Sequence, residues 1–135
     1  MRIKAQPAES VSVLVLSACD KTRASLLSIC VGQQFKVIGA SDFLEAVALF
    51  RRYAPPVVIC NTHWRDFIEV TASALHQACV IVTHPFADDA LWAEVLNLGG
   101  FDVLAQPLDA TEVTRSIQAA VRRAGRSPHT HTDAA

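Results

Sequence analysis

Residues 57–84, VVICNTHWRDFIEVTASALHQACVIVTH, contain two short apolar runs, Val57–Cys60 and Cys79–Val82. Both runs are nearly continuous in Val, Ile and Cys, which is typical of strands that are buried on both faces of a parallel sheet. Between them, a short helix is predicted from Asp66 to His76. A buried strand, a helix and a second buried strand form the crossover unit of a parallel sheet, so this stretch predicts an α/β fold.

Three further runs extend this pattern in both directions: Val11–Leu16, Phe35–Gly39 and Asp102–Ala105. The first is as continuously apolar as the two central runs, whereas the other two are less uniformly apolar and suit edge strands. Strands that alternate with helices predict a parallel sheet covered on both faces. Right-handed crossovers then favour a doubly wound, flavodoxin-like (βα)5 fold with strand order 2-1-3-4-5.

Each helix is predicted from a polar residue that can cap its first turn and from apolar residues at helical spacing. In chain order, the predicted openings are Asp20 or Thr22, Ser41 or Asp42, Asp66, Asp88-Asp89 and Asp109. Proline and glycine pairs, Pro55-Pro56 and Gly99-Gly100, are predicted to end the second and fourth helices. On the fourth helix, Leu91, Val95 and Leu98 are predicted to share the buried face.

Composition restricts the classes of function. The 135 residues are 51% hydrophobic and 19% charged, which excludes a disordered chain. The net charge of −1 supplies no basic field, so neither nucleic acid nor a membrane surface is an expected partner. No apolar run reaches the roughly 18–20 residues of a membrane-spanning helix, and no signal peptide is evident, so we expect a cytoplasmic protein. Residues 1–10 and 126–135 are predicted to be polar tails around a domain at 11–125.

The four cysteines, Cys19, Cys30, Cys60 and Cys79, form no CxxC pair and are predicted to be buried, reduced thiols. Cys19 follows the first predicted strand, and His63 and His84 follow or end two others. Thiolate and imidazole are ligands that zinc prefers, although this spacing matches no known zinc pattern. We therefore expect no metal and no cofactor. A zinc site formed by Cys19, His63 and His84 is kept as an alternative.

Ligands of doubly wound sheets bind at the carboxyl ends of the strands. The segments predicted there are Ser17–Asp20, Asn61–Trp64, Thr83–Pro85 and Gln106-Pro107. They contain neither a nucleophile–base pair nor a glycine-rich phosphate loop, so we predict that the protein is not an enzyme.

The strand spacing, Thr83, the turn Leu98–Asp102 and the Gln106-Pro107 step resemble a CheY-like response-regulator receiver domain of bacterial two-component signalling. The resemblance covers about residues 11–124. Receivers of this family place two carboxylates after the first strand, which hold Mg²⁺ together with an Asp at the end of the third. That Asp accepts a phosphoryl group from a histidine kinase. A Thr or Ser and a Lys, after strands four and five, bind the phosphoryl oxygens.

By position, the acidic pair falls on Ser17 and Ala18, the phosphoryl acceptor on Asn61, the hydroxyl on Thr83 and the lysine on Gln106. Mg²⁺ requires anionic oxygen, which Ser17 and Ala18 do not supply. An amide oxygen is a poor nucleophile, and Gln106 adds no charge. We therefore predict a degenerate pseudo-receiver that has lost aspartyl phosphorylation.

The aromatic switch residue of the family falls on Val103. In the family, helix four, strand five and helix five form the face where receivers dimerise or meet partners, and Trp92 and Phe101 are its candidate aromatic anchors. The predicted partners are a histidine kinase, an output protein or a second copy of the chain. One hypothesis is that Trp64, in the altered loop, caps the vacant pocket by filling it with its apolar ring.

Two alternatives remain: a working phosphorelay receiver with an atypical site, and a flavodoxin-like domain that binds a small ligand or a metal. Whether the chain acts alone or as one piece of a longer protein also stays open.

Overall fold

The computed structural model describes residues 11–125, and the two predicted tails lie outside the described residues. Within that range, five strands alternate with five helices: β1 (Ser12–Leu16), α1 (Asp20–Gly32), β2 (Lys36–Ala40), α2 (Phe43–Tyr53), β3 (Val57–Cys60), α3 (Trp64–Ala72), β4 (Cys79–His84), α4 (Asp89–Asn97), β5 (Asp102–Ala105) and α5 (Ala110–Gly125). The strands are parallel, in the order β2-β1-β3-β4-β5. This order confirms the predicted flavodoxin-like fold.

Side chains that alternate along the strands divide the core into two clusters. Leu14 and Leu16 of β1 face one cluster, which includes Phe50 of α2, Phe67 of α3 and Val95 of α4. The intervening β1 residues face the other cluster, which is completed by α1 and α5. Each face of the sheet is therefore buried under its own helices. The central strands are almost entirely buried, whereas β2 and β5 contain exposed positions, as predicted for edge strands.

Aspartates cap three of the helices. The carboxylates of Asp42, Asp88 and Asp109 each accept the backbone N–H three residues further on, which confirms the predicted openings of α2, α4 and α5. The prediction for α1 is wrong, because Cys19 occupies its N-cap position and makes no side-chain cap bond. Asp20 lies in the first turn instead, where its carboxylate pairs with a guanidinium one turn further on.

The third helix was predicted over Asp66–His76 and lies earlier, at Trp64–Ala72. The Ser73 side chain donates to the carbonyl of Glu69, which satisfies a carbonyl of the last turn and favours an end there. His76 lies beyond the end of the helix. Its imidazole packs on the Phe50 ring, with ring centroids 4.8 Å apart, and forms a hydrogen bond of 3.1 Å with the carbonyl oxygen of Pro55.

The turn between α4 and β5 depends on two glycines. Gly99 has a φ of 104°, a left-handed conformation that favours glycine. A Cβ on Gly100 would stand 2.4 Å from Cγ1 of Val95, so only glycine lets this turn approach α4. Leu98, predicted on the buried face of α4, is the C-cap residue and is 49% exposed, because the helix ends before it.

Candidate functional site

A row of polar residues crosses the carboxyl edge of the three central strands. The register pairs Leu16 with Cys60 and Cys60 with Val82, so the next residues, Ser17, Asn61 and Thr83, lie side by side. The backbone confirms the first of these neighbours, because the N–H of Asn61 donates to the carbonyl of Leu16 at 3.1 Å. The register therefore brings these three positions together at one edge of the sheet.

The row faces the α1 and α5 side of the sheet. Val15, Ile59 and Ile81 point into the cluster on that side, and alternation sends the residue two positions further along each strand the same way. Ser17 and Thr83 are fully buried. The Thr83 hydroxyl is buried and makes no hydrogen bond with the described part of the chain. An unpaired buried hydroxyl costs roughly 1–3 kcal/mol of stability.

Gln106 joins the strand edge to α1. Its backbone N–H donates to the carbonyl of His84 at 3.0 Å, and its side-chain amide nitrogen lies 3.5 Å from the Thr22 hydroxyl of α1. The position that resembles the family's lysine is therefore occupied by a neutral group already directed at a side chain of this protein. The sequence did not point to Thr22 as a member of the site, because the contact spans 84 positions.

The loop from β1 to α1 is held by its own hydrogen bonds. The Ser17 hydroxyl lies 3.1 Å from both the backbone nitrogen and the carbonyl oxygen of Cys19. Arg23 reaches back from α1 to donate to the Ser17 carbonyl and to pair with Asp20. Ala18, the second position of the expected acidic pair, is exposed and has only a methyl group. Asp20, the nearest carboxylate along the chain, is therefore paired with Arg23 at the protein surface.

Cys19 differs from the other cysteines. It is exposed, so the prediction of burial is wrong for this residue and right for the other three. The Thr22 hydroxyl, followed by the backbone amides at the start of α1, lowers the pKa of the Cys19 thiol from its usual value. Burial has the opposite effect inside the fold, where it raises the pKa of Cys30 to about 11 and also raises the pKa of Cys60.

The alternative metal site is not assembled. Across residues 11–125, no group of three or more His, Cys, Asp or Glu side chains is placed to hold a metal ion. His63 instead packs on the Phe43 ring at 5.7 Å and lies 3.7 Å from Asp66, while the ring nitrogen of His84 accepts the N–H of Phe86. These contacts join His63 to α2 and α3 and hold His84 against its own loop, and neither imidazole joins Cys19 in a shared site.

Trp64 does not fill the pocket as predicted. It is 6% exposed and belongs to the core cluster of α2, α3 and α4, on the opposite side of the sheet from the polar row. The Arg65 guanidinium lies over its ring at 4.4 Å and also pairs with Glu94 of α4 at 2.7 Å. Trp64 is therefore a core residue beside a surface contact between α3 and α4.

A second feature is a groove of about 480 Å³ between α4, β5 and α5. Trp92 of α4, which is 46% exposed, forms one wall, and Glu112 and Arg115 of α5 lie on the other. Val103, at the family's switch position, is 8% exposed and lies along β5 between them. An exposed indole beside charges of both signs has the character of a protein-binding surface.

Phe101 does not belong to this surface, which corrects the sequence prediction. It precedes β5 and packs against the cluster of α1 and α5, with the Arg123 guanidinium 5.8 Å from its ring centroid. The residue lies at the amino-terminal end of β5 and faces the opposite layer, so Trp92 is the remaining candidate for an aromatic anchor.

Comparisons with solved structures identify the fold. The signal receiver domain of a protein described as a Luxo repressor from Vibrio parahaemolyticus matches with a TM-score of 0.77 and 15% identity, over 86% of this chain and 93% of that chain. A response regulator receiver domain from Clostridium thermocellum matches with a TM-score of 0.75 and 20% identity, over 84% and 95%. The chemotaxis response regulator CheY4 of Vibrio cholerae matches with a TM-score of 0.73 and 14% identity, over 82% and 98%. The fold is that of CheY-like receiver domains.

No protein-family model matches the sequence, and no curated protein matches it. The likeness is therefore one of backbone architecture. Among the described residues, no helix is long and apolar enough to cross a bilayer.

Proposed function

We propose that this chain is a pseudo-receiver: a cytoplasmic signalling domain of a bacterial two-component or phosphorelay pathway that acts by binding a protein partner and does not accept a phosphoryl group on aspartate. The observation that carries this proposal is the row Ser17–Asn61–Thr83, in which Ser17 offers a hydroxyl and Asn61 an amide where receivers place carboxylates, while Thr83 keeps the hydroxyl of the family. Receivers are signalling modules, so this role requires no catalytic turnover by the chain.

The chemistry of the row supports the loss of phosphorylation. An in-line phosphoryl transfer needs a nucleophilic oxygen and a cation that neutralises the developing charge. Asn61 offers an amide, and Ser17 and Ala18 offer no anionic oxygen to Mg²⁺. Gln106 can donate a hydrogen bond to an anion but adds no positive charge, and its amide already points at Thr22.

The groove beside Trp92 supports the partner role. Trp92 keeps nearly half of its surface exposed, next to Glu112 and Arg115. Large aromatic side chains at the centre of an interface contribute much of its binding energy, and flanking charges select the partner. A histidine kinase, an output protein or a second copy of the chain would bind on this face.

The loss of phosphorylation is tested by intact-mass measurement after incubation with acetyl phosphate and Mg²⁺. The wild-type protein and the Asn61→Asp variant are expected to gain no phosphoryl mass. A four-site variant, Ser17→Asp, Ala18→Asp, Asn61→Asp and Gln106→Lys, restores the missing acids and the lysine and is expected to become labelled. Mg²⁺-dependent, acid-stable or hydroxylamine-sensitive labelling of the wild-type protein would show a working receiver with an atypical site.

The partner face is tested with purified histidine kinases of the source organism and by sedimentation of the chain alone. Trp92→Ala is expected to weaken the interaction by about 30-fold or more, as loss of a central aromatic anchor does. Leu75→Ala is the matched control, because Leu75 is a fully exposed leucine outside this groove. Equal effects of the two substitutions would contradict a partner site at Trp92.

A further inference from the structure

A second groove, of about 470 Å³, runs between α2 and α3. Phe43, Phe50 and Val70 contribute apolar surface to it. Phe67 contacts both phenylalanines edge to face, with ring centroids 5.9 Å from Phe43 and 5.5 Å from Phe50. Phe50 and Phe67 are buried, so the accessible apolar surface of the groove comes mainly from the partly buried Phe43 and Val70. A groove of this size with apolar side chains in its floor suits a large side chain inserted from another molecule.

The two walls of the groove have charges of opposite sign. Arg51 lines it on the α2 side, and Asp66 and Glu69 line it on the α3 side. All three residues are exposed. Within residues 11–125, neither Arg51 nor Glu69 forms an ion pair, and Asp66 meets only His63, at 3.7 Å. The charges are therefore available to a partner and do not neutralise one another across the groove.

Exposed apolar surface extends the groove along α2. Leu44 is 78% exposed and precedes Arg51 by two helical turns, so the two residues lie on one stripe of the helix. An occupant that covers this stripe must present an apolar ridge. Its flanks must carry a negative charge beside Arg51 and positive charge beside Asp66 and Glu69. An amphipathic helix with an apolar stripe between flanks of opposite charge has this shape and this charge pattern.

We propose that the α2–α3 groove binds an amphipathic helix of a partner protein, with its apolar stripe in the groove and flanks of opposite charge against the two walls. This site is separate from the groove beside Trp92 and does not depend on the proposed loss of phosphorylation. A second copy of the chain fits less well, because two concave grooves that face each other leave both floors uncovered.

The proposal is tested with three synthetic helical peptides that share one leucine-rich stripe. One has a glutamate flank and a lysine flank, one has two glutamate flanks, and one has two lysine flanks. Each is labelled with fluorescein and titrated with the full chain, and the Kd is measured by anisotropy. The wild-type protein is expected to bind the mixed-flank peptide threefold to tenfold more tightly than either of the others, as about one or two interfacial ion pairs would give.

Two matched variants shift the preference in opposite directions. Arg51→Glu makes both walls acidic and is expected to favour the two-lysine peptide. Asp66→Lys with Glu69→Lys makes both walls basic and is expected to favour the two-glutamate peptide. A misfolded variant cannot produce such opposite shifts, and Trp92→Ala is expected to leave all three affinities unchanged.

Four results would overturn the proposal. The first is the absence of saturable binding by every peptide, and the second is an unchanged peptide preference in both charge variants. The third is dimerisation of the chain that Arg51→Glu abolishes and that returns when this variant is mixed with Glu69→Lys, because that result assigns the groove to a second copy. Loss of peptide binding in Trp92→Ala would likewise place the helix on the other groove.

Discussion

The carboxyl edge of the sheet and the groove beside Trp92 lie in one small domain and differ in almost every property that decides function. The edge is closed and uncharged: Ser17 and Thr83 are fully buried, and Gln106 is directed at Thr22 of the nearest helix. The groove is open, with an indole that is 46% exposed and charges of both signs. Under the proposed function, the edge is the place where phosphoryl chemistry has been lost and the groove is the place where a partner binds.

The difference teaches that the two roles are separable in physical terms. Phosphoryl transfer requires a few specific atoms, so replacing three or four side chains removes it while the backbone stays intact. The proposed protein-binding face depends instead on exposed area, shape and charge, which α4, β5 and α5 contribute without residues of the edge. The following predictions test the packing of α4 beside the groove, the buried core beneath the edge, and the edge itself, from the largest expected effect to the smallest.

The largest effect is expected from Gly100→Ala, in the turn that joins α4 to β5, two of the elements that form the groove. The added methyl would stand 2.4 Å from Cγ1 of Val95 and 3.0 Å from its carbonyl oxygen, so α4 must move away from β5. We expect the free energy of unfolding to fall by about 2 kcal/mol, as overpacking a buried contact does. Chemical denaturation measures this, with Gly32→Ala as the control, because no atom lies within 4 Å of the Cβ position there. A smaller loss in Gly100→Ala than in the control would contradict the packing described for α4.

The next effect is a dependence of stability on alkaline pH that arises inside the fold. Burial raises the pKa of the Cys60 thiol above its unfolded value of 9.0, so the folded protein keeps a proton that the unfolded chain releases. This contribution is fully present below pH 9 and is lost as the pH rises beyond it, by about 1.4 kcal/mol per pH unit. Urea denaturation between pH 8 and 10.5 should show a shallower decline for Cys60→Ala than for the wild-type protein. Equal slopes of unfolding free energy against pH in the two proteins would contradict this explanation.

At the edge itself, Thr83→Val is expected to stabilise the protein. The substitution removes a buried hydroxyl that has no hydrogen bond within the described residues and keeps nearly the same volume. We expect a gain of about 1 kcal/mol in the free energy of unfolding. Thr111→Val, at an exposed position on α5, is the control and should change stability by less than about 0.5 kcal/mol. A clear loss of stability in Thr83→Val would mean that the hydroxyl is paired.

The smallest effect concerns the reactivity of Cys19 at the rim of the edge. Its pKa is lowered first by the Thr22 hydroxyl, so more thiolate is present at neutral pH than in an unperturbed cysteine. Iodoacetamide should therefore modify Cys19 before the three buried thiols, and Thr22→Val should slow the reaction by about threefold. Peptide mapping of the alkylated protein at pH 7.5 measures both rates. An unchanged rate in Thr22→Val would exclude the hydroxyl as the cause.

Much of the fold could be predicted from the sequence because its signals are local. The continuous apolar runs marked the three central strands, and Asp42, Asp88 and Asp109 marked three helix openings. The start of α3 could not be predicted this way, because it depends on His63 adopting a left-handed conformation next to the Phe43 ring. Phe101 was misplaced because it precedes β5 and faces the layer of α5, which periodicity alone does not reveal.

The same distinction between local signals and tertiary contacts applies to the candidate site. The row of Ser17, Asn61 and Thr83 followed from where the predicted strands end, since parallel strands bring their carboxyl ends to one edge. The contact between Gln106 and Thr22 did not, because it joins residues that are 84 positions apart. The α2–α3 groove could not be predicted either, since it depends on how the two helices lie over the sheet and not on the pattern within either helix.

The most direct test of the central claim is a fluorescence titration of the Trp92→Phe variant, in which Trp64 is the remaining tryptophan. Trp64 begins α3 three residues after Asn61 and packs on the other side of the sheet, so its emission reports a rearrangement of the β3–α3 loop on binding and not direct contact with a ligand. Mg²⁺ is added first and then beryllofluoride, a mimic of the phosphoryl group. The four-site variant with restored acids and lysine, made in the same background, is the positive control. The account predicts no saturable change unless the acids are restored. A saturable, Mg²⁺-dependent change in the protein that keeps Ser17, Ala18, Asn61 and Gln106 would contradict it.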